Sequence, residues 1–154
     1  MGIFKIDEHV TLADINRRND NTIASLIGIE IIELGEDFIR AKMPVDHRTV
    51  QALRVVNGGS YCVLAETLAS VGANLCLDRE KYVAMGLDVN ANHVRSASEG
   101  FVYAVAKPYH LGRKTQVWGI NIFDAEDKLC CVCRLTIAVV AIAEDSRNFK
   151  PVKV

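Results

Sequence analysis

From Asn57 to Leu77 the chain reads NGGSYCVLAETLASVGANLCL, and Glu66 is its only charged residue. That stretch predicts one long helix over residues 58–77. A helix apolar nearly all round must be covered on every side. It is long enough to raise a membrane span. Glu66, Gly72 and Asn74 interrupt it, however, and alternating runs follow, so its expected place is the middle of a globular fold. Glu66, set among Cys62, Val63, Leu64, Ala65, Leu68 and Ala69, is costly to bury unless something pairs with it or uses it.

The rest of the chain must supply the cover. With 154 residues, 50% of them apolar, one domain over 1–154 with a real core is expected. The formal net charge of −1 gives no general pull toward nucleic acid or an anionic membrane. An anionic ligand would need a local cluster of Lys and Arg. The five cysteines are Cys62, Cys76, Cys130, Cys131 and Cys133. Their odd number and the lack of an apolar leader point to reduced thiols and a cytoplasmic setting. Cys130 and Cys133 have redox spacing but lie in a strand-like run. With no second ligand pair, no metal site is expected.

Thr11 with Asp14 three residues on reads as a capped short helix to about Arg18. Residues 19–22 break it, and 22–27 give a further turn. Residues 29–34 and 38–43 are strand-like, split by Gly35-Glu36-Asp37. After the loop 46–56 and the long helix come four more strands at 82–95, 101–110, 115–123 and 129–141. Short turns between most of them favour antiparallel neighbours. The polar tail from Glu144 is expected to be loosely held. The fold class is α+β: a long central helix wrapped by a curved antiparallel sheet of about six strands. Residues 101–106 are apolar at both parities, so one face should meet the helix and the other a second subunit.

Gly58-Gly59 at the helix start frees backbone N–H groups within about two turns of the lone acid. Donors and a carboxylate so placed look like two halves of a catalytic site.

The ordered set Asp20-Asn-Thr22, Met43-Pro-Val-Asp46, Arg48-Thr49, Gln51, Gly58-Gly59, Leu64-Ala-Glu-Thr-Leu68, Ser70, Val89-Asn-Ala91, His93, Ser98-Glu-Gly100, His110-Leu-Gly-Arg113 and 130–135 resembles the hotdog-fold acyl-CoA thioesterases. It is most similar to the branch containing 4-hydroxybenzoyl-CoA thioesterase. The resemblance runs from about Thr11 to Val140. It implies hydrolysis of an aromatic or hydroxyaromatic acyl-CoA at a dimer interface, in a homodimer or homotetramer. It implies no cofactor, since coenzyme A (or an acyl carrier protein) is part of the substrate. Carried over, Glu66 becomes the nucleophile or general base, and Gly59, with Gly58, polarises the thioester carbonyl. Gln51 helps hold the attacking water or the carbonyl. Thr67 and Ser70 follow Glu66, and Ser70 shares its helix face. His93 falls near the acyl group. Arg95 and the turn His110-Leu-Gly112-Arg113 could meet the phosphates.

The chain departs from the family where His ordinarily precedes Gly-Gly and here stands Asn57. Asn can donate through its amide but cannot titrate near neutral pH. Thioester hydrolysis needs an activated water or nucleophile, donors aimed at the developing oxyanion, and a grip on the leaving group. A buried carboxylate with few positive neighbours makes a better base than a free one. Three alternatives stand beside hydrolysis: a structural ion pair of Glu66 with Arg48, Arg54 or an Arg of a partner chain, an acyl-CoA-binding or regulatory protein without chemistry, and a hotdog dehydratase, which needs a catalytic His. Trp118, Phe101 and Tyr103 could line an acyl pocket or a subunit interface.

Overall fold

The computed structural model describes residues 2–7 and 9–142; the tail expected from Glu144 lies outside them. The order is α1 (Leu12–Arg17), α2 (Ile23–Leu26), β1 (Glu30–Leu34), β2 (Ile39–Pro44), α3 (Gly58–Leu75), β3 (Tyr82–His93), β4 (Phe101–Leu111), β5 (Thr115–Phe123) and β6 (Leu129–Ala141). The expected α+β architecture is present. One antiparallel sheet of order β1-β2-β4-β5-β6-β3 lies against α3, which touches five of its six strands.

Local chemistry sets the boundaries. Thr11 and Asp14 form a reciprocal capping box on α1, and Asn21 takes a left-handed turn (φ 60°) before Thr22 caps α2. Asn16 ties α1 to the sheet, its Oδ1 accepting the Ile31 N–H and its Nδ2 donating to the Ile31 carbonyl.

The core is the inward parity of the strands closing on one side of α3. Ile39, Ala41, Met43, Val102, Ala104, Ala106, Ile120, Ile122, Leu135 and Ile137 meet Leu64, Leu68, Ala69 and Ala73, all buried. Gly72 lets α3 approach the sheet, since a Cβ there would stand 3.0 Å from the Trp118 ring. Trp118 is therefore a core residue, its indole N–H donating to Gln116 Oε1 at 2.9 Å, and lines neither acyl pocket nor outer face. Phe101 and Tyr103 are on the other parity of β4, Phe101 exposed and Tyr103 half-buried.

One expectation is corrected: α3 is not covered all round. Its other side, including Cys62, Glu66, Thr67, Ser70 and Asn74, is half-buried or exposed in the single chain. Asn74 holds that side to β3, where its Oδ1 accepts the Ala84 N–H (2.9 Å) and its Nδ2 donates to the Ala84 carbonyl (3.3 Å). β3 is an edge strand of 12 residues. It is bulged between Gly86 and Asp88 and leaves Met85 and Leu87 exposed. Among the described residues, no helix is long and apolar enough to cross a membrane.

Candidate active site

The loop ahead of α3 is pinned before the helix begins. The buried Thr49 donates its hydroxyl to the Pro44 carbonyl (2.7 Å), and its own carbonyl accepts the Asn57 N–H (2.8 Å). Asp46 pairs with Arg48 at 2.7 Å, so Arg48 is committed within the loop and not to Glu66. Arg54 adopts φ 62° where the loop reverses, and Val50 bridges Val56. Gln51 sits on this loop with its Oε1 accepting the Leu53 N–H at 3.0 Å.

Asn57 is the N-cap of α3. Its Oδ1 accepts the Gly59 N–H at 2.7 Å, an ordinary Asn capping bond. The donor expected to polarise a carbonyl is therefore already occupied. Asn57 serves as an acceptor here, not through its amide N–H. Gly58 is needed for space: a Cβ there would stand 2.8 Å from His93 Nε2. The His93 ring stacks on Tyr61 with centroids 5.6 Å apart, and its Nδ1 lies 3.2 Å from Cys131 Sγ. The S–H of Cys133, 3.4 Å away, and the nearby His93 draw the Cys131 thiol pKa below its ordinary range. Gln51, Asn57, Gly58, Gly59 and His93 thus gather at one end of α3.

Glu66 lies two turns further along. It is exposed in the single chain, so the burial expected around it is absent from one subunit. It also has no salt bridge among the described residues. Its carboxylate fills the space over Gly86, where a Cβ would stand 2.5 Å from Oε1. A cavity of about 550 Å³ opens beside it between α3, the α1–α2 segment and the start of β3, and Thr67 and Ser70 line it. The Ser70 carbonyl accepts Asn74 Nδ2 at 2.9 Å, and its hydroxyl bonds neither Glu66 nor the carbonyl four residues back.

Seven residues of helix separate Gly59 from Glu66, a rise of about 10 Å. Within one chain the Glu66 carboxylate sits over Gly86 and not at the Gly59 N–H. The other candidates are also split. Arg95 follows β3 at the Gly58 end, its N–H donating to the Cys130 carbonyl. The His110–Arg113 turn lies past the opposite end of the sheet, with Gly112 and Arg113 beside Cys76, Leu77 and Tyr82, and the His110 ring covers Gly112. The expectation that Arg95 joins this turn is not met within one chain.

Three cavity-lining residues escaped the sequence reading: Arg18, Asn19 and Arg79. Arg18 and Asn19 sit where α1 ends, and Arg79 follows α3. No motif marks them; only the fold brings them together.

The family model described as Thioesterase superfamily matches residues 53–131. The 1,4-dihydroxy-2-naphthoyl-CoA hydrolase of Escherichia coli is 45% identical over 131 residues, which cover 85% of this chain and 96% of that protein. A thioesterase of Haemophilus influenzae superposes with TM-score 0.89 at 46% identity, covering 94% of this chain and 99% of that one. A mutant thioesterase of Pseudomonas aeruginosa gives 0.88 at 39%, covering 92% and 100%.

Proposed function

The chain belongs to the thioesterase superfamily, and on that footing we propose that it hydrolyses an aromatic or hydroxyaromatic acyl-CoA at a site shared by two subunits. One observation carries this reading: the Glu66 carboxylate stands beside a cavity of acyl-group size with no salt bridge among the described residues, and its backbone lies a helix rise of about 10 Å beyond Gly59 of its own chain. The E. coli relative, whose name is that of an aryl-CoA hydrolase, supports the substrate class.

In this reading a second copy completes the site. The free β3 edge is a template for another strand. Glu66 sits over Gly86 near one end of β3 and the helix start packs on His93 at the other, so pairing two such edges antiparallel would carry Glu66 toward the helix start of the second copy. It also draws Arg113 toward the partner's Arg95, so that the two basic spots can share the coenzyme A phosphates. Glu66 then acts as nucleophile or general base, and the Gly59 N–H meets the developing oxyanion with the helix dipole behind it. Gln51 turns toward the water or carbonyl. The thiolate leaving group needs little help from an acid, which fits a site with one carboxylate. Free thiols at all five cysteines accord with a cytoplasmic setting.

A second reading has a specific observation behind it. Because Asn57 Oδ1 holds the Gly59 N–H, the carbonyl must displace that bond, and a protein that binds acyl-CoA with weak turnover would show the same geometry. Thiol release from benzoyl-CoA decides between them. Steady turnover supports the hydrolase, and binding without thiol release supports the second reading.

A further inference from the structure

The cavity beside Glu66 is apolar along its length and cationic at its far end. Ile15, Ile23, Val71 and Leu75 form its walls, and Arg18, Asn19 and Arg79 also line it. From Glu66 to Asn74 it follows eight residues of α3, about 12 Å. Both arginines are half-buried, and bringing two guanidinium groups of like charge partly out of water is costly. Among the described residues, neither Arg18 nor Arg79 forms an ion pair.

Among the described residues, Asp14 pairs with Arg17 and Asp78 with Lys81, Asp7 accepts the His9 N–H, and Glu66 lines the same cavity without bonding either arginine. Arg18 Nε and Asn19 Nδ2 are buried donors with no acceptor, and such groups ordinarily have one. Burial first, and the like charge of Arg79 second, lower the Arg18 pKa.

We propose that this end of the cavity is a subsite for a carboxylate carried on the acyl group, gripped by Arg18 and Arg79 with the Asn19 amide beside them. The substrate is then an acyl-CoA with an acidic group remote from its thioester. Guanidinium groups match a carboxylate with short, charge-assisted bonds. The apolar walls suit an acyl body and not a nucleotide, so the coenzyme A phosphates lie elsewhere. The proposal rests on the hydrolase reading only for which end of the cavity holds the thioester.

The test uses two matched pairs of thioesters, 4-carboxybenzoyl-CoA with 4-methylbenzoyl-CoA and adipyl-CoA with hexanoyl-CoA. Each pair is compared by kcat/KM in the wild-type protein and by Kd in Glu66→Gln. At least a tenfold preference for the carboxylated member is expected in one pair. That ratio should fall to near one in the double variant Arg18→Gln/Arg79→Gln, and partly survive in Arg18→Lys/Arg79→Lys, where the charge remains. No preference in either pair, or a preference that survives the glutamine substitutions, overturns the proposal. Coenzyme A alone should bind wild type and double variant equally; its loss from the variant would assign the arginines to the phosphates and overturn it too. If wild type hydrolyses none of the four, the hydrolase reading falls, while the binding preference still decides the subsite.

Discussion

The Asn57 side-chain oxygen accepts the Gly59 N–H at 2.7 Å, so the residue that caps the long helix also occupies the amide proposed to meet the thioester carbonyl. In that mechanism capping and catalysis compete for one donor. Asn57→His removes the cap bond and should raise benzoyl-CoA turnover severalfold. It should also lower stability by about 1 kcal/mol, the usual worth of such a cap. Thiol release and thermal melting read the two effects. Unchanged or lower turnover would show that the cap is no handicap.

The 12-residue β3 edge exposes Met85 and Leu87, and long apolar edges pair with one another. Light scattering at micromolar concentration should give two or four times the 17.0 kDa chain mass. Leu87→Lys should shift the population toward single chains and lower activity with it. A wild-type monomer that still releases thiol would remove the shared site.

Gly86 leaves room for the Glu66 carboxylate, since a Cβ there would lie 2.5 Å from Oε1. Gly86→Val should push the carboxylate aside and lower kcat by about a hundredfold, the scale of losing a positioned acid or base. Coenzyme A binding should hardly change. Activity within threefold of wild type would place the working carboxylate elsewhere.

Asn74 makes three side-chain hydrogen bonds, one to the Ser70 carbonyl within α3 and two that join α3 to Ala84 of β3. Asn74→Leu leaves the buried Ala84 N–H without its side-chain acceptor, which costs about 1–3 kcal/mol. Urea unfolding should show a lower midpoint with an unchanged slope. An unchanged midpoint would mean the link contributes nothing.

Hydrogen bonding from Cys133 and the nearby His93 hold the Cys131 pKa down. Thiolate absorbance near 240 nm should therefore appear below the ordinary thiol range and be lost in Cys131→Ser. A thiol whose folded pKa is depressed adds stability that is full above its unfolded pKa near 8.5 and fades as pH falls through the folded value. No thiolate signal below pH 8 would contradict this assignment.

What the sequence made legible was local. The Thr11–Asp14 capping box reads from four residues, and β5 and β6 fall where alternation and turns place them, at Thr115–Phe123 and Leu129–Ala141. The long helix starts at Gly58 as expected and ends at Leu75. What stayed hidden depends on distant partners. No periodicity says that β3 lies at the sheet edge, because strand order is set by long-range pairing. Glu66 reads as buried because its neighbours are apolar, yet it stands exposed over Gly86 at the β3 edge of the sheet, and in the proposed dimer a second chain covers it. The Asn57 cap depends on one side-chain rotamer. Arg18 and Arg79 share a cavity because α1 and the segment after α3 lie on its two sides.

In the proposed mechanism Glu66 attacks, or activates water on, a thioester held between two subunits. The decisive measurement is thiol release from benzoyl-CoA by Glu66→Gln, beside wild type at equal concentration and equal oligomeric mass. A fall of about a hundredfold or more with the assembly intact is expected. Turnover within a few fold of wild type would contradict it.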